Sequence, residues 1–580
     1  MQINQRPVPE GGALRRIHLA CGFTPLHLTT YLRAYARLRF AADDVEIATG
    51  LYGNLEGALR RVGQVPTCPP AERSSPAEGA VVVVEWSDID ARLGLRSAAG
   101  WGAAVLADIV QQAGDRLRRL EDLIGAVAGA MPVAVVAPTL ALPPLTHMPP
   151  TQAPAFELRL RGALAGFLER IAESPRVRVL SDTALAKRSP YAERHDIQLD
   201  LRTDFPYTLA HAAAVADLAI ECLLPRPPRK GLITDLDDTL WQGILGDAGV
   251  DGVAWSLDRH AQPHGLYQQL LGSLAESGIL IAVASRNDPA PVAEALDRPD
   301  ILLKRAQIYP VMAGWGPKSE SVARILKAWN IGEDSVVFVD DSPMELAEVG
   351  EKFPAMECLR FPSGDAAAVV ALIHELRARF GKIEVREEDR LRAGSLSASA
   401  AFLEERSDGA SPGFLARLQA KLTLEYSTGA DARAFELVNK TNQFNLNGRR
   451  FTEAEWTAYF QAPGAFLLTA GYDDRFGPLG KIAALMGCRT GDGLRADAWV
   501  LSCRAFSRQI EFQMLRHLFD KHAAQGIAFC FQATPRNGPL QEFFGRFLQP
   551  PLDDGRLELP AALFDQHCPS MFHQVIEKNG

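Results

Sequence analysis

At 580 residues and 63.1 kDa, the chain is several times the usual domain length of about 100–200 residues, which excludes a single core. Hydrophobic residues at 47% and charged residues at 23% are the profile of folded globular domains, not of a disordered tail or a fibre. Lys and Arg number 61 against 70 Asp and Glu, a net charge of −9, so no positive surplus exists for a nucleic-acid backbone or an anionic membrane surface, and neither is an expected partner.

From Arg16 to about Pro225, strand-like runs (Ile17–Ala20, Ala80–Glu85, Met131–Ala137, Val177–Leu180) alternate with amphipathic helices such as Trp101–Leu120 and Ala155–Ser174. That alternation predicts a Rossmann-like α/β domain with a mainly parallel sheet over residues 1–225. The uncharged stretch Leu123–Phe156 exceeds the ~20 residues of a membrane span. Seven prolines interrupt it, so it is expected to form a short buried strand followed by a loop. No export signal follows Arg15 and Arg16, and the eight cysteines form no CxxC pair; a reducing, cytoplasmic setting without disulfides or zinc is expected.

After the basic joint Arg226–Lys230, strands are predicted at Gly231–Thr234, Ile279–Ala284 and Val336–Val339, forming a second α/β domain over 226–380. Residues 381–421 are charged and helix-forming with Ser/Gly breaks, a helical linker. A third, α+β segment occupies 422–580.

The chemistry concentrates in the middle domain. Thr234-Asp235-Leu236-Asp237-Asp238-Thr239-Leu240 follows an apolar strand, which puts alternate aspartates at a strand's C-terminal end, where open α/β sheets bind ligands. Taken alone, such an acidic loop also suits a turn or a cap. Ser285 lies 50 residues on, Lys318 a further 33, and Asp340-Asp341 a further 22, three of these positions at predicted strand ends or a helix start. A carboxylate pair, a hydroxyl, an ammonium and more carboxylates supply a nucleophile, phosphate contacts, charge neutralisation and an oxygen-rich metal site, the set phosphoryl transfer needs.

This constellation resembles the haloacid dehalogenase (HAD) superfamily. The resemblance implies Asp235 as nucleophile and Asp237 as acid and base. It further implies Thr239, Ser285, Arg286, Asn287 and Lys318 around the phosphate, and Mg²⁺ held by Asp235, the main-chain carbonyl of Asp237, and Asp340 or Asp341. The spacing from Asp235 to Ser285 leaves room for little more than a helix and its loops, so only a minimal cap is expected.

Further strings in all three parts are similar to the FkbH-like family: Asp235-Leu-Asp-Asp-Thr-Leu-Trp241, Ser285-Arg-Asn-Asp288, Gly316-Pro-Lys-Ser-Glu320, Val339-Asp-Asp-Ser-Pro343, Asn439-Lys-Thr-Asn-Gln-Phe-Asn445, Leu501-Ser-Cys-Arg504, Glu85-Trp-Ser-Asp-Ile-Asp-Ala-Arg-Leu-Gly94 and Phe205-Pro-Tyr-Thr-Leu-Ala-His211. The implied activity is transfer of a glyceryl unit from 1,3-bisphosphoglycerate through an enzyme thioester to the phosphopantetheine thiol of an acyl carrier protein, with loss of phosphate at the HAD site, in polyketide-type biosynthesis. Asp238 stands where the family commonly has Asn, and Arg286 where it commonly has Lys.

That scheme needs a thiol. Cys503 is the first candidate, since a strand is predicted to end at Ser502, a helix to start near Arg508, and Arg504 and Arg508 flank it, all of which favour thiolate; Cys21 is the second. The last segment resembles a GNAT-type acyltransferase fold without the usual glycines at Arg504–Gln509, and is read as a thiol-bearing platform, with Lys440, Asn442, Gln443, Asn445 and Arg504 as candidate acyl-site lining. A polar turn capping the helix Ala432–Asn439 accounts for the first four equally well. The first domain resembles the SGNH hydrolase fold; Ser87, Asp88 and His211 suggest a triad, but no nucleophile elbow accompanies them. Two other readings stand beside the leading one: a Mg²⁺-dependent phosphatase without acyl transfer, and a non-enzymatic scaffold with a decayed site.

Overall fold

The computed structural model describes residues 14–50, 53–63, 77–97, 102–144, 148–149, 151–383, 385, 419–429, 431–441, 443–474, 477–490, 493–502, 505–506, 508–534, 537–548 and 555–579. Most of the expected helical linker, 386–418, lies outside the described residues. The chain forms two compact units: the described residues up to Arg226 together with Phe451–Ala462, and Pro227–Arg450 together with Pro463 onward. The architecture is multi-domain α/β, with two parallel sheets and one mixed sheet.

In the first unit, β1 (Leu14–Cys21), β2 (Asp44–Thr49), β3 (Ala77–Val83), β4 (Val133–Val136) and β5 (Val177–Val179) form a parallel sheet in the order β2-β1-β3-β4-β5. Val81, Val82, Val83, Val133 and Val135 are all buried, because helices cover both faces and the central strands must be apolar on both sides. The helix expected over Trp101–Leu120 spans Ala103–Ala130. Gly125 and Gly129 argue locally against the extension, but Ile124 and Val127 pack into the core and tertiary burial prevails. Among its described residues, the uncharged stretch therefore divides into the end of this helix, β4, irregular residues after it and the start of the helix Ala155–Ala172. No helix among the described residues is long and apolar enough to cross a membrane.

A short helix, Glu453–Tyr459, also belongs to this unit. Its Glu453 pairs with Arg178 at 2.9 Å and its Glu455 with Arg15 at 3.3 Å, while Thr452 and Glu455 close a capping box at its start. The connection between two strands of the last sheet thus makes an excursion into the first unit.

The second unit begins with β6 (Gly231–Thr234), β7 (Leu280–Ser285), β8 (Ile308–Ala313), β9 (Val336–Asp340) and β10 (Glu357–Arg360), all parallel, in the order β10-β9-β6-β7-β8. The chain winds outward from β6 through β7 to β8, then returns to the other side of β6 with β9. The strand order therefore reverses between β6 and β9, the position where sheets of this kind open a ligand crevice. Gly231 admits the helix Lys318–Trp329 close to the sheet, since a Cβ there would lie 2.5 Å from the Trp329 ring.

The third sheet contains β11 (Lys421–Ser427), β12 (Phe444–Asn445), β13 (Ala465–Asp474), β14 (Gly477–Thr490), β15 (Gly493–Leu501), β16 (Gly526–Phe529), β17 (Leu557–Pro560) and β18 (Gln574–Asn579). Its order is β17-β16-β15-β14-β13-β11-β18, with β12 against β15. β15 and β16 pair only between Leu494–Ala496 and Ile527–Phe529. Further along β15, β12 takes the place beside Val500 and Leu501, and Leu446 bridges the gap by donating to Trp499 O and accepting from Gln532 N. In the core beneath, Trp499 is packed by Phe444, Phe529, Phe543 and Phe544.

Candidate active site

The site forms at the C-terminal ends of β6, β7 and β9. Each strand is an apolar run that ends on one polar residue: Asp235 follows β6, Ser285 closes β7 and Asp340 closes β9. Asp235 N donates to Val339 O at 3.0 Å, so the β6–β9 ladder itself fixes the nucleophile candidate beside Asp340. Lys318 is the first residue of its helix, after Gly314–Pro317.

The Lys318 ammonium is buried and lies 2.9 Å from Asp235 Oδ1 and 2.6 Å from Asp340 Oδ2. Burial pushes the Asp235 carboxyl up; Lys318 opposes that push and Asp340 reinforces it. Burial works to lower the Lys318 pKa, but the two carboxylates outweigh it and the net shift is upward. Asp341 is likewise pushed up by burial, then by Asp340 and Asp238. Carboxylate oxygens of Asp235, Asp340 and Asp341 come within 4.8 Å of one another. One ammonium against three converging carboxylates leaves excess negative charge in a poorly hydrated place, which a divalent cation would relieve. All-oxygen donors fit Mg²⁺.

Asp237 is held by three donors: Trp241 Nε1 at 3.0 Å and Leu245 N at 3.1 Å on Oδ1, and Asn287 Nδ2 at 2.9 Å on Oδ2. The Asn287 amide also donates to Ser285 Oγ at 3.0 Å, so it ties the expected acid/base residue to the expected phosphate contact. Asp238 has φ 48°, in the left-handed region, and its Oδ1 accepts from Gly243 N at 2.8 Å. That bond makes the aspartate an organiser of the turn after β6. Thr239 is buried, and its hydroxyl makes no hydrogen bond among the described residues.

Residues 235–360 are all described, and no domain is inserted between these strands. The segment after β6 makes a small flap, Gln242 pairing with Ala254, before the helix Gln262–Glu276. The minimal cap expected from the spacing is what the chain forms.

Other expected residues lie elsewhere. The Arg286 guanidinium turns to Glu345 at 3.0 Å and Glu348 at 3.3 Å, and joins the carboxylates of the helix Pro343–Lys352. Lys440 Nζ pairs with Glu436 at 2.6 Å, while its carbonyl accepts from Lys230 Nζ. Gln443 Nε2 donates to Asn330 Oδ1 at 2.6 Å. Asn445 is buried and braces its own loop, donating to Thr441 O and accepting from Gly448 N. These three make local and interdomain bonds within the second unit. Cys503, Arg504 and Asn442 lie outside the described residues. Cys21 is buried, its Sγ donates to Phe23 O at 3.2 Å, and burial pushes its pKa up, the reverse of an activated thiol.

In the first unit, His211 is buried with Nε2 2.9 Å from Thr139 Oγ1 and Nδ1 2.9 Å from Ser189 Oγ. Asp88 Oδ2 accepts from Glu85 N at 2.8 Å, and Ser87 is exposed. The three residues suggested as a triad do not form one. Sequence reasoning missed Glu85, which accepts from Thr139 and from Tyr207 OH at 2.6 Å, and missed Glu345 and Glu348. A carboxylate directly after the run Val81–Val84 was the available signal for Glu85.

No protein-family model matches the chain, and no curated protein matches it. Among solved structures, it is similar to the N-terminal part of a Bacteroides fragilis protein, described as containing a phosphatase domain complexed with Mg, at 18% identity over 66% of this chain and 98% of that one, TM-score 0.49. An uncharacterised Corynebacterium glutamicum protein matches at 19% identity over 27% of this chain and 98% of that one, TM-score 0.19. A carbohydrate esterase family 2 enzyme from Myceliophthora fergusii matches at 13% identity over 38% of this chain and 68% of that one, TM-score 0.21.

Proposed function

We propose that the middle domain is a Mg²⁺-dependent phosphatase working through an aspartyl phosphate. The observation that carries this reading is the buried Lys318 shared between Asp235 and Asp340 at the point where the strand order reverses. Asp235 attacks phosphorus, forming an O–P bond while the bond to the leaving oxygen breaks. Asp237, held by Trp241 and Asn287, gives its proton to that oxygen, then takes one from the water that releases inorganic phosphate. Ser285 and Lys318 bind the non-bridging oxygens, and Asp235, Asp340 and Asp341 would hold Mg²⁺. When bound, the ion neutralises charge on the phosphoryl group.

The narrower reading, supported by the FkbH-like strings and by the absence of a large cap, is that the phosphate arrives on a glyceryl unit bound for, or carried by, the phosphopantetheine thiol of an acyl carrier protein. 1,3-Bisphosphoglycerate would be the donor, and Cys503 the thiol. Hydrolysis of p-nitrophenyl phosphate in Mg²⁺ tests the first reading: wild type should turn over, and Asp235→Asn should lose at least about 10³-fold. Equal rates for the two proteins would overturn it. Intact-mass analysis of a holo-carrier incubated with 1,3-bisphosphoglycerate tests the second, and an unmodified carrier would leave phosphatase alone.

A further inference from the structure

Arg286 immediately follows Ser285, yet its guanidinium is neutralised twice, by Glu345 Oε1 at 3.0 Å and by Glu348 Oε2 at 3.3 Å. Both glutamates lie on the helix Pro343–Lys352, which starts two residues after Asp341. Glu348 uses its other oxygen, Oε1, to accept from Ser319 N at 3.1 Å. Ser319 neighbours Lys318 at the start of the third element. One charged chain, Arg286–Glu348–Ser319 with Glu345 beside it, therefore joins the three loops that carry Ser285, Lys318 and Asp340-Asp341. These loops come from positions far apart in sequence, with Arg286 and Glu348 separated by 62 residues. The β ladders fix the backbone at Ser285 and Asp340, but Lys318 and Asp341 follow the strands on loops and helix starts outside the ladders.

Resting on the phosphatase reading above, we propose that Arg286 is a positioning residue that holds the Ser285, Lys318 and Asp340 loops in register through Glu345 and Glu348, and that it does not bind the substrate phosphate. A guanidinium suits this task because its planar fork reaches two carboxylates at once, whereas an ammonium is a single point charge. Glu345 is 5% exposed and its Oε2 has no partner among the described residues; loss of Arg286 would remove its ion-pair partner at 3.0 Å and leave only the more distant Lys318 charge, and the helix start would shift to hydrate the carboxylate. Displacements on the order of 1 Å at such a site cost about 10²-fold in rate.

The test is kinetic, on the full chain, with p-nitrophenyl phosphate as substrate and inorganic phosphate as inhibitor. Arg286→Ala should lower kcat by about tenfold to 10²-fold, with KM and the phosphate inhibition constant unchanged within about twofold. Glu348→Gln should move kcat in the same direction, and the double variant should be no slower than Arg286→Ala alone, since both break one network. Arg286→Lys, keeping one of two ion pairs, should fall between wild type and Arg286→Ala. A joint rise of KM and the inhibition constant in Arg286→Ala, with Glu348→Gln at wild-type rate, would make Arg286 a phosphate ligand and overturn the proposal. A lowered Tm with normal kcat would also overturn it. Absence of Asp235-dependent turnover in the wild type is a separate outcome: it removes the phosphatase reading, and the positioning role with it.

Discussion

The two five-stranded parallel sheets carry polar clusters at the same place, the C-terminal ends of their central strands, and the clusters differ in how their carboxylates are compensated: by neutral donors in the first, by an ammonium in the second. In the first unit, Glu85, Thr139, Tyr207, His211 and Ser189 bond to one another, and donors and acceptors match. In the second, Asp235 and Asp340 share one buried ammonium, and with Asp341 they bring three carboxylates within 4.8 Å of one another. A buried network whose members satisfy each other rigidifies a core. A buried cluster that remains unbalanced has a standing affinity for a cation and for chemistry.

The largest effect that would break this contrast is at Lys318. Lys318→Met should lower phosphatase turnover by about 10²–10³-fold, since the ammonium holds two carboxylates and, in the proposed mechanism, a phosphate oxygen. Near-normal turnover would mean that the charge excess of the second cluster is not catalytic. Next is the ion itself: Mg²⁺ at about 100 times its Kd should stabilise the protein by about 2.7 kcal/mol, read as a rise in Tm that EDTA reverses. Asp341→Asn should shrink that rise, and a Tm indifferent to Mg²⁺ would contradict the site.

The smaller effects belong to the first unit. His211→Asn should leave phosphatase activity unchanged and cost about 1–3 kcal/mol at neutral pH, because Thr139 or Ser189 loses a partner. Burial, with Arg194, pushes the His211 pKa down to about 3, against about 6.5 in an unfolded chain. Between those values the unfolded chain binds a proton that the folded one refuses. Stability of the first unit is therefore full above about pH 6.5 and declines as pH falls toward 3. Hydrogen exchange of β3 and β4 across this range should show the decline in wild type and a flatter response in His211→Asn. Gly22→Ala sharpens the same point: its Cβ would sit 1.5 Å from Asp88 Oδ1, and overpacking there should cost about 1–3 kcal/mol without touching turnover.

Much of the candidate cluster was legible in the chain. An apolar run ending in an acid or hydroxyl is a local pattern, and β7 was displaced by one residue at each end from its expected bounds. Asn287, expected at the phosphate, ties Asp237 to Ser285. Arg286 was expected there too and turns to Glu345 and Glu348. In both cases the residue type and strand end were readable, but the direction of a long or amide side chain depends on what other strands bring near it.

By itself the sequence determined three things: the alternating α/β pattern, the strand ends on which Asp235, Ser285 and Asp340 sit, and the absence of room for a large cap. These follow from hydrophobic period and spacing, which act over a few residues. Only tertiary structure decided that the first polar cluster is closed while the second is open, that Asn445 braces a loop, and that residues 451–462 fold with the first unit. Those outcomes rest on pairings such as Thr139 with His211, 72 residues apart, and Arg178 with Glu453, 275 apart. Burial energy sets them by satisfying whole networks of donors and charges, and no local window of sequence contains both partners.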